Sequence, residues 1–249
     1  MYKRQVFDLV LVITGGDPKK IESTALFDTL RRLSRSKTIV GGISGGPYLL
    51  AAAGLMHGYR MTVHWEHAPA MQERWPELLL ERSLYIFDRK RVTCAGGTAP
   101  LDLMHSLITE HHGHSFARKV SDWFMHTDFR PAAGPQRAGL VERIGVTDQA
   151  ILNAIEAMEN HISDPLNLQD LSRIAQVGER QLNRLFKNKL NISTMGYYRG
   201  LRLDLAQNLL RNSSLSVTEI SLATGFSGSA HFSSCYSQKF GGPPSSQRR

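Results

Sequence analysis

The chain has 249 residues, 41% of them hydrophobic and 21% charged, with a formal net charge of +8 at neutral pH. These values are typical of a globular protein with room for two domains, and they weakly favour a polyanionic partner. No run approaches the roughly 20 apolar residues of a membrane span, the start lacks a secretory segment, and two cysteines are too few for a disulfide framework, so a cytoplasmic protein with no membrane partner is expected.

The first half alternates strand and helix patterns. Val6–Thr14 is a compact apolar run that ends in two glycines, which is typical of a buried parallel strand. Further patterns predict a helix through Leu26, Leu30 and Leu33, a strand from Thr38, a helix over 45–55, a strand over 60–64, a strand pair over 84–94 and two helices over 97–126. This alternation predicts an α/β fold built on a partial, flavodoxin-like parallel sheet.

Prolines and glycines interrupt this pattern at residues 130–145, which predicts a linker. Every later segment has helical periodicity. The predicted domains are therefore 1–129, an α/β domain, and 146–249, an all-α domain.

The all-α domain begins with a helix-turn-helix pattern. Asn167 can cap a short helix, a tight turn follows at 176–178, and the next helix places Leu182, Leu185 and Phe186 inward. Ser193 then opens a long helix, with an apolar stripe of Met195, Tyr198, Leu201, Leu205 and Leu209, that can serve as a rigid spacer.

The same pattern recurs near the end of the chain. A capping box from Ser216 to Glu219 precedes a turn at Gly225, and residues 229–240 form a helix with Phe232, Tyr236 and Phe240 inward. Two such units on one connector can enter successive major grooves about 34 Å apart, so double-stranded DNA is the predicted partner. A plain helical bundle is the alternative interpretation.

Polar side chains on these helices are the predicted DNA contacts. Arginine and glutamine can bind guanine and adenine edges in a bidentate manner, and lysine and arginine bind phosphates. The second helix-turn-helix, residues 213–247, carries Lys239 as its only lysine or arginine, so we expect the first helix-turn-helix to dominate the affinity for DNA. The predicted contacts are Arg180, Gln181 and Arg184 at base edges, Lys187 and Arg202 at phosphates, and Asn183, Ser229 and His231 as further contacts.

Residues 146–249 resemble the AraC/XylS family of transcription regulators. The matching residues are Arg180–Phe186, Tyr198–Leu203, Val217–Ile220, Gly225–Phe226, His231–Ser233, Phe240–Gly241 and Pro244. The resemblance implies that the helices beginning near Gly178 and Ser229 are recognition helices, and RNA polymerase is a further predicted partner. The chain departs from the family at Gly228 and Ala230, where serines are usual, and at Ser234 and Ser237, where arginine is common.

Gly42-Ile-Ser-Gly-Gly46 lies between a predicted strand and helix and matches the G-x-S-x-G nucleophile elbow. His64 follows twenty residues after Ser44. A serine with a histidine base is the arrangement of many hydrolases, so a Ser44-dependent hydrolase or amidotransferase-like enzyme is the alternative function.

Residues 6–128 resemble the class I glutamine-amidotransferase-like, or PfpI-like, domain fused to many AraC-type regulators. The matching residues are Ile13–Gly16, the elbow, Ala52–Met56, His64–Trp65, Cys94–Ala99 and Leu101–Asp102. Enzymes of that superfamily have cysteine at the elbow, and this chain has Ser44. The resemblance implies a sensor without catalytic residues, with an effector pocket formed by Ser44, Gly45, His64, Glu66 and Thr98.

The run His64–Glu66, the segment Cys94–Asp102 and the C-terminal Phe240–Pro244 resemble, within that group, the regulators of quaternary-amine and amino-acid catabolism. A quaternary amine or amino acid is therefore the predicted effector, and Glu66 with the Trp65 ring suits a cation. The cluster His105, His111, His112 and His114 matches no compact metal site, so neither a metal nor a cofactor is predicted. The family domain normally begins with further strands, so we expect a truncated, incomplete sheet here and a homo-oligomer when the protein is full length.

Overall fold

A computed structural model describes residues 7–247 and divides the chain into two compact units, one up to Arg137 and one from Ala138. This boundary falls inside the segment 130–145 that the sequence marks as a linker. Val6, at the start of the first predicted strand, lies outside the described residues. No helix between residues 7 and 247 is long and apolar enough to cross a membrane.

The first unit is an α/β layer. Its elements are β1 (Leu9–Thr14), α1 (Thr24–Ser34), β2 (Ile39–Ser44), α2 (Gly46–Ala52), β3 (Arg60–Met61), α3 (Ala68–Arg74), β4 (Leu79–Leu80), β5 (Tyr85–Asp88), β6 (Arg91–Cys94), α4 (Ala99–His112) and α5 (His114–Trp123), with a 3-10 turn at Pro18–Ile21. The main sheet has the order β1-β2-β6-β5, and β3 pairs with β4 separately. The α/β prediction is confirmed.

The register of the sheet brings chain ends together at one edge. β1 and β2 are parallel, with Thr14 opposite Ser44, and β2 is parallel to β6, with Ile43 opposite Cys94. β5 returns antiparallel to β6, as the predicted strand pair requires. Because the carboxyl ends of the parallel strands share this edge, the loops after Thr14, Ser44 and Cys94 meet there.

The strand predicted over 60–64 is shorter in the structure and ends at Met61. Thr62 leaves the ladder because its polar groups have partners outside it. Its N–H donates to the Thr93 hydroxyl at 3.0 Å, and its own hydroxyl donates to the Ser83 carbonyl at 2.6 Å. Two further elements, α3 and β4, were not predicted because they are too short to show a periodic pattern in the sequence.

The second unit contains α6 (Leu140–Ile144), α7 (Gln149–Asn160), α8 (Leu168–Ile174), α9 (Glu179–Leu190), α10 (Thr194–Asn212), α11 (Val217–Ala223) and α12 (Ser229–Phe240), with a 3-10 turn at Pro244–Gln247. The predicted caps form: the Asn167 side chain accepts from Asp170 N at 2.9 Å, and Ser216 and Glu219 form the capping box. α8 with α9 and α11 with α12 are the two helix-turn-helix units.

The connector α10 is buried on more sides than the predicted stripe. Leu203, Ala206 and Leu210 are buried beside the predicted Tyr198 and Leu209, whereas the predicted Leu201 and Leu205 are only half-buried. The reason is that α10 packs against α7 and α9 and also against α11 and α12. A helix between two partners cannot keep a single apolar stripe.

Candidate nucleic-acid interface and effector pocket

The first recognition helix, α9, presents a polar, basic face. Leu182 and Phe186 are fully buried on its inner side. The predicted base-edge residues and the predicted phosphate contact are all exposed on the other side: Arg180, Gln181, Arg184 and Lys187. Backbone, packing and charge therefore agree on which face of α9 is available to a partner.

Asn183 lies at the edge of this face and already has a partner. Its side-chain oxygen accepts a hydrogen bond from Thr194 N at 3.2 Å. This contact holds the start of α10 against α9, so Asn183 positions the helix pair.

Arg202 was predicted as a phosphate contact. It lies on α10 and is half-buried against the turn of the second helix-turn-helix, between α11 and α12. Its Nε donates to the Thr224 carbonyl at 2.7 Å, and its guanidinium carbon lies 4.2 Å from the centre of the Phe226 ring. Burial lowers the pKa of this guanidinium. Arg202 therefore joins α10 to the turn of the second helix-turn-helix.

The second recognition helix, α12, begins with the exposed residues Ser229 and His231. Its one cation, Lys239, turns toward α10: the ammonium group lies 2.7 Å from the Gly200 carbonyl and 2.7 Å from Asp204 Oδ1. The exposed surface of residues 213–247 thus lacks an uncompensated lysine or arginine.

In the first unit, Ser44 stands at the end of β2 with a φ of 61°, a left-handed conformation that a side chain rarely adopts. Such strain is a feature of functional turns. The close approach of the elbow requires glycine at position 46, because a Cβ there would lie 1.9 Å from the Val12 carbonyl oxygen. The elbow geometry inferred from Gly42–Gly46 is present.

No hydrogen bond joins the Ser44 hydroxyl to a histidine ring within residues 7–247. His64 contacts this serine through its backbone, whose N–H donates to the Ser44 carbonyl at 3.3 Å. A second histidine, His67, is buried nearby and was missed in the sequence because its neighbours form no motif. Burial is the main cause that lowers its pKa. Like His64, it makes no hydrogen bond to the Ser44 hydroxyl in the described part of the chain.

A pocket of about 180 Å³ opens beside the elbow, at the edge where the strand ends meet. Of the predicted effector residues, His64 and Thr98 line it, together with Trp65. Ser44, Gly45 and Glu66 do not line it, although Ser44 packs directly behind the pocket wall at Gly96. The complete lining is His64, Trp65, Leu84, Ala95, Gly96, Gly97, Thr98, Ala99, Arg130 and Gln136.

An ion pair between a partly exposed arginine and a buried aspartate stands at this pocket, and the arginine, Arg130, lines it. Asp102 has a fully buried side chain that accepts from Arg130 Nε at 3.1 Å and from Arg130 Nη2 at 2.6 Å. The same Nη2 also lies 2.8 Å from the Thr98 hydroxyl, and His126 Nε2 lies 3.3 Å from Asp102. Arg130 and Gln136 were not predicted as pocket residues because they fall in the segment predicted to be a linker.

Cys94 ends β6 next to the elbow and is fully buried. Burial raises the pKa of its thiol to about 11. The thiol is therefore protonated at neutral pH and is a poor nucleophile.

Comparisons with known proteins cover both units. The chain matches the profile of a helix-turn-helix domain over residues 171–249 and that of the DJ-1/PfpI family over residues 2–110. It is 44% identical to the HTH-type transcriptional regulator GlxA of Rhizobium meliloti (strain 1021), over 96% of this chain and 74% of that protein. It is 41% identical to the HTH-type transcriptional regulator CdhR of Pseudomonas aeruginosa, over 97% and 72% of the two chains.

Among solved structures, an AraC-type transcriptional regulator from Chromobacterium violaceum is 40% identical. The match covers 40% of this chain and 88% of that chain, with a TM-score of 0.39.

Proposed function

This chain belongs to the family of HTH-type transcriptional regulators that carry an AraC-type DNA-binding domain and a DJ-1/PfpI domain, and we propose how each of its two units works. The second unit reads DNA mainly through α9. The first unit binds a small amine or amino acid in the pocket beside the Ser44 elbow. The observation that carries the DNA assignment is the exposed face of α9, which is basic and faces away from the core.

Within α9, Arg180, Gln181 and Arg184 are the base-edge contacts, because their exposed side chains carry the donor groups that read guanine and adenine. Lys187 is a phosphate contact. Its charge supplies affinity without sequence preference, as phosphate contacts do.

The second helix-turn-helix, α11 with α12, supplies register and modest specificity through Ser229 and His231. This division follows from charge. Lys239 is compensated by Asp204, so α12 has little attraction for phosphate. The Arg202 contact with Thr224 and Phe226 fixes the second turn on α10 and supports a defined separation between the two recognition helices.

The test is selection of duplexes from a random pool by the full chain at fixed salt. We expect one enriched site with two elements about one helical turn apart, and with more sequence information in the element read by α9. Absence of any enrichment by a chain that is folded, as judged by circular dichroism, would overturn the DNA assignment.

The effector assignment is supported by the polar groups that converge on the pocket, since ligand sites combine apolar walls with a few placed polar groups. Binding of glycine betaine or L-arginine should raise the unfolding temperature of the chain as ligand concentration rises. If neither compound nor other amino acids shift the melting curve, the predicted effector class is wrong.

Ser44 is a structural residue of the elbow in this proposal and is not a nucleophile. Between residues 7 and 247 no side chain is positioned as a base for its hydroxyl, and a nucleophilic serine needs one. RNA polymerase and a second copy of the chain stay predicted partners.

A further inference from the structure

Part of the pocket wall comes from a segment we call the pocket strap, residues 130–137, through its residues Arg130 and Gln136. Three sets of hydrogen bonds hold the strap against the rest of the first unit. Arg130 donates to Asp102, and the Ala132 carbonyl accepts from Leu84 N at 2.8 Å. The Gln136 side-chain amide donates to oxygen atoms of Thr62, Val63 and Ser83. The strap ends at Arg137, and Ala138 begins the second unit. Whatever moves the strap therefore acts on the residues that lead directly into the DNA-binding unit.

The first of these sets leaves a donor available. Asp102 and Thr98 occupy Arg130 Nε and Nη2, whereas Nη1 makes no hydrogen bond within residues 7–247. Arg130 is 39% exposed at its side chain and lines the pocket. A guanidinium held in place by a buried carboxylate, with donors to spare, is a carboxylate-binding group.

His64 adds a second donor to the same pocket. The Glu66 N–H donates to its Nδ1 at 3.3 Å, which places the proton of the neutral ring on Nε2. The pocket thus offers two donor side chains to an anionic group.

The aromatic side of the pocket already carries a cation from the strap itself. The Arg137 guanidinium carbon lies 4.5 Å from the centre of the Trp65 ring, within the range of a cation–π contact. Trp65 is 40% exposed and lines the pocket, so its indole can contact both the strap and a bound ligand.

From these observations we propose that the pocket takes a zwitterion and that the ligand competes with Arg137. Its carboxylate binds Arg130, and its cationic end takes the Trp65 face that Arg137 occupies in the free protein. Loss of the Arg137 contact loosens the end of the strap next to the second unit. This inference rests on the proposed effector function and adds the ligand class and the link to DNA binding.

The size of the pocket limits the ligand. About 180 Å³ is the space of roughly six water molecules in the liquid. A single small amino acid or a methylated amino acid fits this space.

The decisive experiment is isothermal titration of the full chain with glycine betaine, which has a carboxylate and a quaternary ammonium. Choline and acetate are matched probes that each lack one of these groups. We expect glycine betaine to bind and both partial probes to bind at least tenfold more weakly. Equal binding of choline and glycine betaine would overturn the carboxylate subsite at Arg130.

Competition with Arg137 gives a result of unusual sign. The Arg137→Ala variant should bind glycine betaine about two- to fivefold more tightly than the parent chain, because removing the strap's cation frees the Trp65 face. Arg137→Lys keeps a cation and should stay near the parent value, and Trp65→Leu should bind more weakly than either. Unchanged or weaker binding by Arg137→Ala would overturn the competition.

Loosening of the strap has its own readout. Trypsin cuts after arginine but not before proline, so the bond after Arg137 is its target in the strap, whereas Arg130 precedes Pro131. Saturating glycine betaine should speed cleavage after Arg137, measured by mass spectrometry; slower or equal cleavage would refute the loosening. If no amino acid or amine binds the parent chain, the proposed effector function itself fails, and that result differs from binding without competition.

Discussion

The unequal charge of the two recognition helices gives a measurable prediction about salt. Each phosphate contact releases counterions, so log K falls with log salt by about 0.9 per contact. Lys187 is exposed on α9 without a salt bridge in the described structure, whereas Lys239 on α12 is held by Asp204 and the Gly200 carbonyl. Two lysines on two recognition helices therefore differ in what they can offer to DNA.

The perturbation is Lys187→Met, with Lys239→Met as the matched control. Losing one phosphate contact should reduce the salt slope by about 0.9. When salt rises from about 50 to about 200 mM, the factor by which affinity falls should therefore be roughly 3- to 4-fold smaller for the variant than for the parent chain. Lys239→Met should keep the parent slope. Fluorescence anisotropy of the full chain on a labelled duplex carrying the selected site measures both slopes.

The expected loss of affinity at Lys187→Met is the same for matched and mismatched duplexes, because a phosphate contact carries no sequence information. Arg184→Ala should behave differently, with a cost of about 1–3 kcal/mol on the matched site only. Equal reductions of the salt slope by the two methionine variants would refute the reasoning, since they would show that Lys239 contacts DNA as freely as Lys187.

Four further predictions concern the first unit. Gly46→Ala should destabilise the unit by more than about 3 kcal/mol in urea unfolding, because the new Cβ would overlap the β1 backbone, whereas Gly15→Ala, which meets nothing within 4 Å, should be near neutral. Asp102→Ala should cost about 1.5–3 kcal/mol of unfolding free energy, since its charged hydrogen bonds are lost while its partly exposed arginine partner regains water; an unchanged midpoint would contradict this role of Asp102.

Burial lowers the pKa of His67 in the folded state below its ordinary 6.5, so the unfolded chain binds more protons there. The free energy of unfolding should therefore fall as pH drops through about 6.5. The variant His67→Gln should lose less stability on acidification than the parent chain, and an equal loss would contradict this role of His67. Cys94, with its pKa raised to about 11, should resist iodoacetamide at neutral pH in the folded chain, and mass spectrometry that finds rapid alkylation would disprove this.

The helix-turn-helix units could be predicted from the sequence because their determinants are local. The Asn167 cap, the Ser216 capping box and the spacing of Leu182 and Phe186 all act within one or two turns of helix. The Gly42–Gly46 elbow was readable for the same reason. Short motifs with a steric requirement leave a signature in consecutive residues.

The pocket could be predicted only in part because its walls come from distant segments. His64 and Thr98 follow readable motifs, but Arg130 reaches Asp102 across 28 residues and Gln136 reaches Thr62 across 74. Two prolines and one glycine in the strap indicate an interrupted helix pattern. They do not indicate whether the interrupted segment is solvated or packed on a sheet.

Arg202 and Lys239 show that a cation on a DNA-binding domain can have partners within the protein. Both side chains have long apolar stems that can lie along a protein surface while the charged group finds an internal acceptor. Arg202 finds the Thr224 carbonyl and the Phe226 ring, and Lys239 finds Asp204. Both contacts tie the second helix-turn-helix to α10, so Arg202 and Lys239 help to fix the position of α12 relative to α9. Affinity on one helix and geometry on the other are then two consequences of the same distribution of charge.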